Sequence, residues 1–149
     1  MPRLLLAVAF VGLATVALFG TRAAALAPDG RYVVDTDTTT DTVTALTWQQ
    51  TPPEASYDQA AANAYCDGLA LGGHEDWRLP SLHELLSIVD PTRGGPTIDS
   101  RSFPSTPSAY YWTRTPYAPV SGLGWTVSFS AGTSFPQNES VAARVRCVR

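Results

Sequence analysis

The spacing of apolar and polar positions along this chain changes several times, and each spacing predicts an element. From Leu4 to about Phe19 the run is apolar with almost no break. Residues 29–42 predict a short strand around Tyr32-Val33-Val34 followed by a polar turn rich in aspartate and threonine. Val43, Ala45 and Thr47 then alternate with Thr44, Leu46 and Trp48, which predicts a second strand over 43–49. The period next becomes helical: Tyr57, Ala61, Ala64 and Tyr65 recur behind a capping box, Ser56-Tyr57-Asp58-Gln59, and Gly68 supplies a stop. Cys66 falls on the last turn of that helix, above Ala62. A second capping box, Ser81 to Glu84, leads Leu82, Leu85, Leu86 and Val89 at i, i+3, i+4 and i+7, and Asp90-Pro91 ends that helix. Residues 91–108 have no apolar period; a connection of that length is usually functional or mobile. Strands follow at 109–113, at Trp125, Val127 and Phe129 before an Ala131-Gly132 turn, and at 141–148. In the last of these Cys147 shares the apolar face, while Arg144 and Arg146 point the other way.

The opening apolar run has the parts of a secretory signal: Met1-Pro2-Arg3 before it, then Gly20-Thr21-Arg22 and the small residues up to Ala27. This divides the chain into a signal peptide, residues 1–27, and one domain, residues 28–149, with cleavage after Ala27 or, because Pro28 is awkward for a peptidase, after Ala25. The alternative is an uncleaved anchor, since about 16 apolar residues lie near the lower limit for spanning a bilayer. No cysteine follows the run, which argues against a lipoprotein anchor. Without Arg3 and Arg22 the domain carries a net charge of about −5 and no lysine at all. That balance disfavours nucleic acid and anionic lipid as partners. Export also places Cys66 and Cys147 where disulfides persist. A bridge across positions 81 apart stabilises by about 4–5 kcal/mol on the chain-entropy model. A free, reactive thiol pair is the competing reading.

Candidate chemistry is sparse. Asp35, Asp37 and Asp41 alternate with threonines and are the weak candidates for calcium, but no EF-hand spacing is present and turn formation is the favoured reading. His74, Glu75 and Asp76 offer metal-ligand types, but the second histidine, His83, lies on a helix and no zinc spacing appears. Trp77-Arg78-Leu79-Pro80 reads as structural: an indole in the core, a guanidinium on backbone carbonyls and a proline leading into the helix. No nucleophile–base set stands out, so no enzyme activity and no cofactor are expected.

Taken in order, several of these segments resemble the C-terminal domain family of the Legionella collagen-like adhesin. They are Asp41 to Trp48, Ala64-Tyr65-Cys66, Leu71 to Ser81 with Glu84-Leu85, Tyr111-Trp112-Thr113, Trp125 to Phe129, and Val145 to Arg149. The Gly-His-x-Asp-Trp-Arg-Leu-Pro stretch is the most specific, and Ala45 departs from the glycine usual in the family. The resemblance implies an α+β, C-type-lectin-like fold: two helices on small, mostly antiparallel sheets, long loops, and one disulfide tying the first helix to the last strand. It also implies attachment to sulfated glycosaminoglycans and to surfaces, a property that an acidic, lysine-free chain fits poorly. Arg144, Arg146 and Arg149 offer a local basic ridge, although a solvated strand face is the favoured reading. Arg78-Leu79-Pro80 with Glu84 is also similar to the formylglycine-generating group, but neither its active-site cysteines nor its histidine-based iron site is apparent, nor are the lectin calcium motifs.

Three functions follow. The first is a non-catalytic recognition domain for an extracellular glycan or surface protein, carried by Arg93, Arg101, Arg114, Tyr117 and Trp125, with Arg144 and Arg146 beside them. The second is an assembly domain of the cell envelope, and the third an enzyme related to the formylglycine-generating group. After signal cleavage no membrane partner is expected, and oligomeric state is not legible in the sequence.

Overall fold

The computed structural model describes residues 30–149. The leader assigned to residues 1–27 lies outside them, and among the described residues no helix is long and apolar enough to cross a membrane. The chain forms a small α+β domain with two three-stranded antiparallel sheets, two helices and one disulfide.

The first sheet has the order β1 (Tyr32–Val34), β2 (Thr38–Asp41), β3 (Leu46–Gln49). The threonine run expected to be a turn is therefore β2. Branching at Cβ favours a strand, and the polar groups that face inward find partners. Buried Thr39 donates to the Ser102 carbonyl at 2.7 Å, and buried Asp41 receives the Arg31 guanidinium at 2.8 and 3.3 Å. The strand expected from Val43 starts only at Leu46, because 42–45 is a tight turn with Ala45 left-handed at φ 59°.

Helix α1 (Gln59–Asp67) also starts later than its sequence signal. Tyr57 exchanges both backbone hydrogen bonds with Ala143 at 2.8 Å, which holds it extended and rules out Ser56 as the cap. Asp58 caps instead, accepting from the Ala61 amide at 2.8 Å, and Gln59 reaches away to the Thr113 carbonyl. In α2 (Leu82–Ser87) the box forms as expected between Ser81 and Glu84, although the helix ends at Ile88, before Val89. The aperiodic stretch 91–108 is not a loose connection. Ile98 and Phe103 are fully buried in it, so its apolar positions are set by packing and not by a repeat.

The second sheet has the order β4 (Tyr110–Pro116), β5 (Leu123–Ser128), β6 (Thr133–Asn138). β6 was not expected: Thr133-Ser134-Phe135-Pro136 does not alternate, and Pro136 is tolerated because this is an edge. Successive residues of β4 serve two cores. Tyr111 packs with Trp48, Leu85, Phe103 and Phe129, whereas Trp112 packs with Ala62, Trp77, Val145 and the two cysteines. The final strand expected at 141–148 is a bridging segment instead. It pairs singly with Tyr57, Tyr111, Trp48 and Arg78, and so stitches both sheets together. Cys66 and Cys147, both fully buried, are joined as a disulfide that fastens α1 to this segment.

Candidate functional site

Trp112, Thr126 and Phe135 face each other across β4, β5 and β6, so they share one side of the second sheet, with Tyr110 two residues before Trp112. Over Trp112 that side is covered by α1 and the C-terminal segment. Over Tyr110 it stays open. A hollow of about 330 Å³ remains there, lined by Ser56, Tyr110, Gln137, Val141, Ala142 and Arg144 among others. Three of the exposed large apolar residues belong to this face: Phe135 at 56 %, Tyr110 at 44 % and Val141 at 41 %. The Tyr110 and Phe135 rings lie 6.5 Å apart, inclined at 53°. Single exposed apolar groups are ordinary, but neighbouring aromatics beside a concavity mark a contact surface.

The polar groups of the groove are only partly engaged. Gln137, which lines the groove, spends its amide nitrogen on a long 3.4 Å bond to the Thr126 hydroxyl. Arg144 donates Nη1 to the backbone carbonyls of Pro53 and Glu54, and among the described residues no carboxylate pairs with it. The groove thus offers aromatic faces, an amide, a hydroxyl and one uncompensated guanidinium.

The residues picked out from sequence fall into separate groups. Arg93 is a clamp within its own loop, 3.0 Å from Asp90 and 2.8 Å from Asp99. Arg101 is 70 % exposed and only grazes Asp99 at 4.0 Å. Tyr117 and Trp125 are half-buried and pack edge to face at 5.1 Å, while Arg114 projects into solvent from β4. Arg146 does not stand on a solvated ridge. It is fully buried over the Phe103 ring at 4.8 Å, with one hydrogen bond, to Thr106 at 2.7 Å, and with Nε and Nη1 unpaired by any protein group. Burial pulls its pKa down to about 10, an effect only partly offset by Tyr111. Strict alternation had put Arg146 opposite Cys147, but both sides of this bridging segment are covered. Of the seven residues, Arg144 alone lines the groove.

The Gly-His-x-Asp-Trp-Arg-Leu-Pro stretch is a structural knot. Trp77 donates to the carbonyls of Leu71 and His74 at 3.1 Å, and Arg78 forks onto Glu84 at 2.8 and 2.7 Å, not onto backbone carbonyls as expected. The Arg78 hydrogen bonds, outweighing desolvation, hold the Glu84 carboxyl down at about 2. A larger hollow, about 730 Å³, lies over residues 70–76, but it is the concavity of one continuous loop with no aromatic side chain. Asp76 there is engaged by Arg149 at 2.7 Å. Nor do Asp35, Asp37 and Asp41 converge on a calcium site: Asp41 is committed to Arg31, and the other two sit on an exposed turn. Among the described residues no three metal-ligating side chains cluster.

Phe135 and Gln137 were missed by sequence reasoning, Tyr110 was read only as a strand residue and Ser56 only as a helix cap. The available signal was an aromatic beside a proline in an otherwise polar segment, the composition of an exposed edge strand. No curated protein matches the chain. Residues 37–149, which take in both helices, the disulfide, the groove and every strand but β1, match the model of the Lcl C-terminal domain. The chain belongs to the Lcl C-terminal domain family.

Proposed function

We propose that this chain is an exported, non-catalytic recognition and adhesion domain with a C-type-lectin-like arrangement, which binds a glycan or a protein on a cell or extracellular surface. Family membership supports a surface-associated role, and the buried disulfide suits an oxidising compartment. The observation that carries the reading is the Tyr110–Phe135 pair beside the groove, since aromatic anchors with polar neighbours are what contact surfaces use. We read the domain as non-catalytic, and the groove's lining suits that reading. Ser56 is the one hydroxyl with nucleophilic potential besides Tyr110, and no histidine, cysteine or carboxylate lines the groove with it. An envelope assembly role would draw on the edge strand β1, where Val33 and Val34 are 59 % and 48 % exposed, but three residues make a short seam.

The test is attachment. Beads carrying the oxidised mature protein should adhere to host cells or extracellular matrix, and Phe135→Asp, at a half-exposed position, should abolish adhesion without moving the thermal midpoint. Adhesion unchanged by that substitution, or no adhesion to any surface, would reject the reading.

A further inference from the structure

We infer that the groove lined by Tyr110 and flanked by Phe135 takes an uncharged sugar ring and takes it without calcium, an inference that rests on the recognition reading above. The chemistry of the lining excludes the other common ligand classes one at a time. A polyanion needs an array of cations. The groove holds a single guanidinium, Arg144, with Nη1 already given to two carbonyls, in a chain of net charge −3. A cationic ligand would meet that same guanidinium with no lining carboxylate to offset it. An extended peptide would have to add to the free edge of β6, and Pro136, in the middle of that strand, has no N–H to offer a ladder.

A neutral pyranose meets none of these objections. Its C–H face suits the Tyr110 and Phe135 rings, and its hydroxyls both donate and accept. They match the Gln137 amide, the Ser56 hydroxyl and the remaining N–H groups of Arg144. A volume of about 330 Å³ lies at the small end of ligand pockets, enough for a ring or two and not for a long buried chain. Since no aspartate or glutamate lines the groove, nothing in it would hold a calcium ion between protein and sugar.

The experiment is saturation-transfer NMR on the oxidised mature protein with neutral gluco-, galacto-, manno- and N-acetylated disaccharides and one sulfated disaccharide. Each is measured in calcium and in chelator, at low and high salt. At least one neutral disaccharide should bind equally in calcium and chelator. Tyr110→Ala and Phe135→Ala should weaken it about tenfold or more, and Val43→Thr, on the exposed turn between β2 and β3, should leave it unchanged. Thermal unfolding of Phe135→Ala controls for folding. Binding of the sulfated sugar alone, loss of binding in chelator, or full binding by Phe135→Ala would overturn the inference. If no sugar binds while bead adhesion still depends on Phe135, the ligand class fails and the recognition reading stands. If adhesion fails as well, both fall.

Discussion

Arg146 is the residue whose replacement discriminates most sharply between physical accounts of this domain. Burial lowers its pKa from 12.5 to about 10, so keeping it charged at neutral pH costs the folded state about 3 kcal/mol. Against that stand a hydrogen bond to Thr106 and the contact with the Phe103 face, together worth about 2–3 kcal/mol in a desolvated setting, beside the Tyr111 interaction already counted in that pKa. Arg146→Met keeps an unbranched apolar stem, removes the charge and forfeits both contacts. The terms nearly cancel, so the methionine variant should lie within about 1 kcal/mol of the parent, on the more stable side. Arg146→Ala also loses the stem and leaves a cavity, and should cost about 3 kcal/mol. Urea unfolding of the oxidised protein at pH 7, followed by tryptophan fluorescence, reads both variants. A methionine variant destabilised by 3 kcal/mol or more would refute the reasoning, because the guanidinium would then be held by far more than Thr106, Phe103 and Tyr111. Bead adhesion of a folded methionine variant should match the parent, since a fully buried side chain presents nothing to a ligand.

Two further outcomes are expected. Ala45→Gly should stabilise by about 0.5 kcal/mol, because relief of a left-handed alanine, about 1 kcal/mol, is partly offset by the more flexible unfolded chain; a lower thermal midpoint would contradict this. Glu84 has a folded pKa depressed from 4.5 to about 2, so its contribution is fully present above about pH 4.5 and is lost as pH falls through 2. The pair is a fifth to a third exposed, and screening limits that contribution to about 1–2 kcal/mol. Glu84→Gln should therefore flatten the fall in stability between pH 4.5 and 2, measured by denaturant titration, and a variant with the parent's slope would exclude Glu84 as its source.

Much of the local structure was legible because local chemistry decided it. The Ser81–Glu84 box, the first part of the Leu82–Leu85–Leu86 stripe and the stop at Gly68 depend on residues a few positions apart, and these form, although the helix ends before Val89. Capping by Ser56 failed because a distant residue, Ala143, holds Tyr57 extended. The role of Arg146 was misjudged for a related reason: alternation tells which side a residue takes, not whether that side is covered. Of the groove, only Arg144 was foreseen. Tyr110, Gln137 and Ser56 come together through a β4–β5–β6 pairing and a C-terminal segment that no short-range pattern specifies.

The bond between Cys66 and Cys147 turns the stretch between them into a covalent ring of roughly 80 residues, about 270 Å of contour if drawn straight. A pull between residues 30 and 149 runs through residues 30–66, crosses the sulfurs and leaves by 147–149, so the ring bears none of it directly. A load applied by a bound surface at Tyr110 or Phe135 behaves differently. It reaches the N-terminal portion by both arms of the ring at once, and tension divides between them. For the same reason one peptide cut anywhere within the ring leaves both halves of the groove tethered to the rest of the molecule.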